Sequence, residues 1–387
     1  MSEGWAMKQW SEVLEIRSGR NQKEVLNPNG KYPILGSAGK VMGYADDYIC
    51  EEGTTIIGRK GTINSPLFIT KKFWNVDTAF GLHAKEGLDK NYLHYFCLSF
   101  DFTEMDRGSG RPSLVKSDLL KIPIPIPPLP EQKQIVAILD KAFAAIDQAR
   151  ANIEKNIENA KELFQSKLNE IFSQLALSGV EGKGDGWEEK TLGEVCEIIM
   201  GQSPKGTSYN SEGIGTPLIN GPVEFGAEPF SKTVMSKWTT QPTKLCEEGD
   251  LILCVRGSTT GRINIAGFQA CIGRGVAAIR NVKSQKWINF FIRCNQQTIY
   301  DLGTGSTFPN VSSKILANLK IIQPKSITTQ NEFVDLMEEL DANQSKMKSH
   351  YQQKLTNLED LKKSILQKAF SGALTKEATV SKYATVQ

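Results

Sequence analysis

Residues 131–173 read EQKQIVAILDKAFAAIDQARANIEKNIENAKELFQSKLNEIFS, with no Gly or Pro anywhere in the run. Apolar or small residues fall at Ile135, Leu139, Ala142, Ile146, Ala149, Ile153, Ile157, Ala160, Phe164, Leu168 and Ile171. Steps of four and three draw one stripe along a helix, and the extra four-residue steps slow any supercoil. A shift of 198 lands on Phe333, Met337, Leu340, Gln344, Met347, Tyr351, Leu355, Leu358, Lys362, Leu366 and Ala369, the same stripe interrupted only at Gln344 and Lys362. Each helix would be about 65 Å long at 1.5 Å per residue. That exceeds what one small domain covers, so the two stripes are expected to bury each other as a coiled coil. Gln344 and Lys362 are expected to set register or snorkel rather than dock a partner.

The echo extends beyond the helices. Gly4, Trp5, Glu12, Val13, Glu15, Ile16 and Gly19 return as Gly186, Trp187, Glu194, Val195, Glu197, Ile198 and Gly201, a shift of 182. Cys50-Glu51-Glu52-Gly53 returns as Cys246-Glu247-Glu248-Gly249 at 196. A period near half the chain is too long for a solenoid and indicates a duplicated two-part unit whose copies differ by loop insertions.

The first copy opens with residues 1–130, where Gly, Pro and Asn separate short β-favouring runs such as Thr54-Thr55-Ile56-Ile57 and Pro66-Leu67-Phe68-Ile69. This predicts a strand-rich α/β domain, with a short helix over Tyr92 to Phe100. The run from Lys121 to Pro130, with prolines at 123, 125, 127, 128 and 130, is predicted to be extended throughout. A long helix over 131–173 follows, then a glycine-rich linker over 174–186. The second copy supplies a domain over 187–327, a helix over 328–373 and a loose tail over 374–387. The fold class is therefore α+β: two strand-rich domains and two long helices, duplicated about a pseudo-twofold.

Hydrophobic content of 40% with mixed charge signs fits a folded, water-soluble chain. No apolar run approaches the roughly 18 residues of a membrane span, and the first ten residues lack a signal-peptide core, so a cytoplasmic location is expected. Seven cysteines without a CxxC pair argue against a disulfide framework or zinc site, and Cys50 and Cys246 are expected to be small core residues. A net charge of +3 neither supports nor excludes nucleic acid.

Equipment for chemistry is missing. There is no G-x-x-x-x-G-K-[ST] loop to cradle phosphates. Asn27-Pro28-Asn29-Gly30 lacks the second Pro and the aromatic of an amino-methyltransferase motif and reads as a turn. Three histidines, His83, His94 and His350, leave little for acid–base catalysis or metal binding. No catalytic residue, metal ligand or cofactor is expected in this chain.

Groups suited to DNA sit instead in three paired loops. Arg17, Arg20, Asn21 and Lys23 correspond to Gln202 and Lys205. Arg59, Lys60 and Asn64 correspond to Arg256, Ser258, Thr259 and Arg262. Arg107 and Arg111 correspond to Thr304 and Ser306. Arg, Asn, Gln and Lys can pair with base edges, while Gly/Ser backbone can approach phosphates closely.

A family resemblance joins these parts. Tyr32-Pro33-Ile34-Leu35-Gly36-Ser37, Gly43-Tyr44, Ile56-Ile57-Gly58-Arg59-Lys60-Gly61 and Asp77-Thr78-Ala79, the exit from Ile122 to Glu131-Gln132, and Leu366-Gln367-Lys368-Ala369-Phe370-Ser371-Gly372 resemble the specificity subunit of type I restriction-modification systems. In the second copy, Gly201-Gln202-Ser203-Pro204 and Gly249-Asp250-Leu251-Ile252 followed by Arg256-Gly257 resemble another class of the same module. The second exit departs from the pattern, with Lys325 to Gln330 where Pro-Leu-Pro-Glu-Gln would stand. The resemblance implies a non-enzymatic chain with two target-recognition domains, each reading half of a split asymmetric sequence in double-stranded DNA. It implies that the helices pack antiparallel as a spacer and dock two modification (methyltransferase) subunits that use S-adenosylmethionine. Restriction subunits using ATP and magnesium would then join. A helix of this length caps the half-site separation at about nineteen base pairs. A self-contained methyltransferase or nuclease, or a scaffold that binds no DNA, are the competing classes.

Overall fold

The computed structural model describes residues 4–180, 186–305 and 308–375, with the backbone alone over 173–180. It divides into two compact bodies, one comprising residues 1–155 and 351–387, the other residues 156–350. Each body contains one globular domain and a segment of both long helices.

In the first body, strands Leu14–Ser18, Ala79–Ala84, Thr54–Gly58 and Leu67–Ile69 lie side by side in that order, all neighbours antiparallel. The second body repeats this sheet with Glu197–Met200, Val276–Arg280, Leu251–Cys254 and Ile263–Ile265. Thr54–Gly58 and Leu251–Cys254 are buried at every position, because helix and loops cover both faces. A smaller sheet flanks each: Val41–Ala45, Tyr32–Leu35 and Trp74–Asn75 in the first, and a five-stranded one in the second. The expected short helix runs over Lys90–Ser99, its first turn capped by Asp89, which accepts from Asn91 N and Tyr92 N. Cys50 and Cys246 are both fully buried, and burial pushes their thiols up to about 12 and about 11, so both are inert core residues.

Entry and exit of each domain pair in one short ribbon. Ala6–Gln9 runs antiparallel to Pro123–Ile126, and Trp187–Thr191 to Lys320–Pro324. The proline-rich exit is thus an edge strand, where a missing N–H costs no ladder bond. It is shorter than its sequence suggests: the first long helix spans Leu129–Val180. Leu129 and Pro130 join the helix because an N-terminal turn needs no amide and proline's φ is already helical. At its other end the helix passes Ser173 into the segment assigned to a linker. The second long helix spans Ile327–Ser371, one residue earlier than expected. Residues 373–375 add a further helical turn. Leu374 packs on the first core and Thr375 Oγ1 donates to Glu131 Oε1 at 2.9 Å, so the tail does not begin at 374. Residues 181–185 of the linker and 376–387 of the tail lie outside the described residues.

The Glu-Gln that ends the exit acts as a buried lock. Gln132 is fully buried; its Nε2 donates to Pro127 O at 2.9 Å and Gly87 O at 3.0 Å, and its Oε1 accepts Asp89 N at 2.8 Å. Gln330 repeats the first bond, donating to Pro324 O at 2.7 Å. The divergent second exit therefore keeps the glutamine that fastens helix to strand. Gln132→Leu is expected to cost about 1–3 kcal/mol, since it orphans a buried N–H and two carbonyls. Urea unfolding followed by circular dichroism measures this, and an unchanged midpoint would refute the lock.

The stripes end in the globular cores. Ile135, Leu139, Phe143 and Ile146 share the first core with Leu366 and Ala369, and Phe370 stacks edge-on against Tyr92 and Phe96. Phe164 and Leu168 share the second core with Val334 and Met337. Within the first body Arg150 pairs with Glu359 and Asp147 with Lys362, so the two chain directions oppose each other. Further along, Ile153, Ile157 and Ala160 are half-buried and Met347 is exposed. The two polar breaks have local partners. Lys362 Nζ lies 4.6 Å from the centroid of the Phe143 ring, and Gln344 accepts from Arg293 at 3.3 Å, the guanidinium also stacking on Phe164.

Candidate nucleic-acid interface

All three loops of each domain gather at one end of its main sheet, around the turn that leads into the central strand. In the first body Gly19 N donates to Ala79 O (3.1 Å) and Arg20 N to Asn75 O (3.0 Å), tying the first loop to that turn. Arg59 N donates to Thr78 O (2.8 Å), tying the second. Gly61 N donates to Pro112 O (2.8 Å) and Leu114 N to Arg59 O (2.9 Å), bringing in the third. The second body repeats the scheme bond for bond. Gly201 N reaches Val276 O (3.0 Å), Gln202 N reaches Ile272 O (2.9 Å), Val255 N reaches Gly275 O (2.9 Å), Gly257 N reaches Pro309 O (3.3 Å) and Val311 N reaches Val255 O (2.9 Å). Glycine is required at the first contact: a Cβ on Gly19 would stand 1.8 Å from Val76 O, and on Gly201 2.1 Å from Gly273 O.

The framework is polar and hydrogen-bonded, buried at Asn75 and Asp250 and exposed at Asp106. Asn75 is fully buried, and its Nδ2 donates to Arg17 O (3.2 Å) and Ala79 O (3.3 Å). Asp106 shapes the third loop by accepting Gly108 N (2.8 Å) and Ser113 N (2.7 Å); these bonds, Ser113's foremost, hold its carboxyl below the usual range. Asp250 is 3% exposed and takes Arg280 Nε and a terminal nitrogen at 2.8 Å each, bracing the strand that carries the second turn.

The candidate residues separate into exposed and committed groups. Arg20, Asn21, Lys23, Lys60 and Arg111 are exposed on the first cluster, and Asn21 Oδ1 accepts Lys23 N in a local turn. Arg59 is half-buried over the Phe80 ring, 5.7 Å from its centroid. Arg17 is committed to Glu15 and to Ile49 O (3.0 Å), and Asn64 Oδ1 accepts Phe102 N (2.9 Å). Arg17 is half-buried and Asn64 exposed, each with polar atoms engaged inside the domain, which spacing alone did not reveal. Arg107 is largely exposed while pairing with Asp118 at 3.3 Å.

In the second cluster Gln202, Lys205, Arg256, Ser258, Arg262 and Thr304 are exposed and Thr259 is half-buried. Arg262 lies 5.9 Å from the Phe225 ring centroid. Thr304 bridges to Asn310, and Ser306 lies outside the described residues. Two side chains escaped the sequence reading. Arg274 and Asn220 line an open recess with Ser203, Arg256, Gly257 and Gly275. Arg274 lies in the turn before the central strand, as Asp77 does in the first body. The shift of 197 between Ala79 and Val276 would have aligned them, had strand pairing been known.

A sheet whose loops form the same cluster twice, on bodies that share two long helices, defines a duplicated recognition module. Comparison with known proteins gives the family. The model of the type I restriction modification DNA specificity domain matches residues 2–159 and 184–357, and the chain belongs to that family. A putative type I restriction enzyme MjaX specificity subunit of Methanocaldococcus jannaschii is 30% identical over 92% of both chains. The MjaVIII specificity subunit of the same organism is 23% identical, also over 92% of both. A chain from a structural study of complex assembly and conformational transition of the type I R-M system aligns with a TM-score of 0.77 at 25% identity, covering 96% of this chain and 99% of that one. The HsdS subunit of Thermoanaerobacter tengcongensis shares the fold, with a TM-score of 0.56 over 96% and 98% of the two chains. The chain is a type I restriction-modification specificity subunit, as the resemblance implied.

Proposed function

We propose that each body reads one half of a split DNA sequence, and that the chain carries recognition without catalysis. One observation supports this above the rest: the same backbone frame gathers three loops in both bodies and presents different side chains on each. A shared frame with unlike contents is what two unlike half-sites require, because backbone contacts set position while side chains read bases. Among the described residues no group of three or more His, Cys, Asp or Glu is arranged to hold a metal ion, and no helix is long and apolar enough to cross a membrane. The catalytic work falls to partners: two modification subunits using S-adenosylmethionine, and restriction subunits using ATP and magnesium, in the cytoplasm. Transfer of a methyl group to DNA by the purified chain alone would overturn the non-catalytic assignment.

Arg59→Ala and Arg256→Ala are each expected to weaken DNA binding by the assembled complex by about 1–3 kcal/mol, about five- to 150-fold in affinity. A scaffold that binds no DNA predicts no change in a fluorescence-anisotropy titration. Methylome sequencing of a host carrying the chain with its modification partner should return a bipartite motif. A continuous motif would overturn the two-reader assignment.

A further inference from the structure

We propose that Asp77 and Arg274 occupy one structural position in the two bodies and that each reads a base edge. Asp77 would accept from the amino group of cytosine or adenine, and Arg274 would donate to guanine. The inference rests on the DNA-reading function proposed above.

The equivalence follows from the backbone. The residue four before the strand start accepts the first loop's amide in both cases, Asn75 O from Arg20 N and Ile272 O from Gln202 N. One position later the same closing bond recurs, Ala79 N to Val76 O (3.0 Å) and Val276 N to Gly273 O (3.1 Å). Counting on, Asp77 falls on Arg274. Both are exposed, and neither side chain is hydrogen-bonded or ion-paired to a described residue. Each stands beside an arginine already assigned to DNA. Arg59 donates to Asp77 O at 3.4 Å, and Arg256 lines the same recess as Arg274.

The supports are rigid. Asn75 braces the first turn from beneath; in the second, Arg274 N donates to Ser203 Oγ at 3.2 Å, and a Cβ on Gly273 would stand 2.0 Å from Asn220 Oδ1. Such turns hold a side chain at fixed reach from the surface.

Opposite charge at one position gives the two bodies different readings. A carboxylate is repelled by phosphate, so at the centre of a DNA-facing cluster it can contribute only where a base offers a donor. Cytosine N4 and adenine N6 do so in the major groove. A guanidinium there is acceptor-seeking, and guanine O6 and N7 form the pair it meets with two parallel bonds. The neighbouring Arg59 and Arg256 remain available to both strands' phosphates.

The test uses the full chain assembled with its modification partner, carrying Asp77→Asn, Asp77→Ala, Arg274→Gln or Arg274→Ala, and a randomised duplex library as probe. Asp77→Ala should relax one position of one half-site, cutting discrimination at a cytosine or adenine about tenfold, and leave the other half-site unchanged. Arg274→Ala should relax one guanine of the other half-site by a similar factor. The near-isosteric Asp77→Asn and the shorter but still polar Arg274→Gln guard against misfolding and should shift the preferred base at the same positions. A selected motif identical to wild type overturns the proposal, whether affinity is unchanged or falls uniformly with a salt slope reduced by about one, the mark of a phosphate contact. If the wild-type complex itself selects no split motif, the proposed function fails and this inference falls with it.

Discussion

Arg280→Met is expected to destabilise the second body by about 3–5 kcal/mol, because it strands a buried carboxylate. Asp250 is almost wholly inaccessible and receives both parallel bonds of the guanidinium, each at 2.8 Å. Its other oxygen contact, from Glu247 N at 2.8 Å, cannot replace a charge. Arg280 also meets Glu197 and Glu247, yet both are 61% exposed and contribute little in water. The loss therefore belongs to Asp250. Arg280→Met combined with Asp250→Leu should be markedly more stable than Arg280→Met alone, since the orphaned charge is gone. Chemical denaturation followed by circular dichroism gives both values. A single-variant cost below about 1 kcal/mol would show that water reaches Asp250 and that the pair is not buried in effect. The functional consequence is one-sided: the strand Val276–Arg280 carries the turn with Arg274, so the second half-site should degrade while the first stays sharp.

Trp287→Ala should cost the same body about 3–5 kcal/mol by a different route, the emptying of a core. The indole is fully buried and meets Phe172, Trp187 and Phe333 at ring centroids of 5.3, 6.4 and 6.4 Å. These rings come from the first helix, the entry strand and the second helix, so one side chain joins three elements that hold the domain. Trp287→Phe keeps most of the volume and should lose less than half as much. The indole N–H has no partner among the described residues, so its removal recovers a little of the burial cost. Thermal unfolding and limited proteolysis of the full chain measure the effect, and equal losses for Phe and Ala would refute a cavity mechanism.

Local and periodic features of the fold were legible. The stripe from Ile135 to Ile171 and its copy 198 residues on predicted both long helices, because helical periodicity is written in the order of residues. The first helix runs past Ser173 because residues 174–177 carry no helix breaker and a single interior glycine, Gly179, costs only about 1 kcal/mol, so it continues to Val180. Pro130 was assigned to extended chain although a first helical turn accepts it. The loops were legible as repeated polar turns, yet composition could not separate Arg20, which faces solvent, from Arg17, which is spent on Ile49 and Glu15.

The order of residues by itself determined that the chain is a duplication with two long helices, two strand-rich domains and three paired loops. Periodicity, turn chemistry and repeat spacing are local properties, complete in one dimension. Only the tertiary structure decided which loop positions correspond where insertions separate the echoed segments. It aligned Asp77 with Arg274 and spent Asn64 on the amide of Phe102. Equivalence and hydrogen-bond commitment are set by strand pairing between residues far apart in the chain. Loop insertions erase that pairing from the sequence, while the backbone bonds of the folded sheet preserve it.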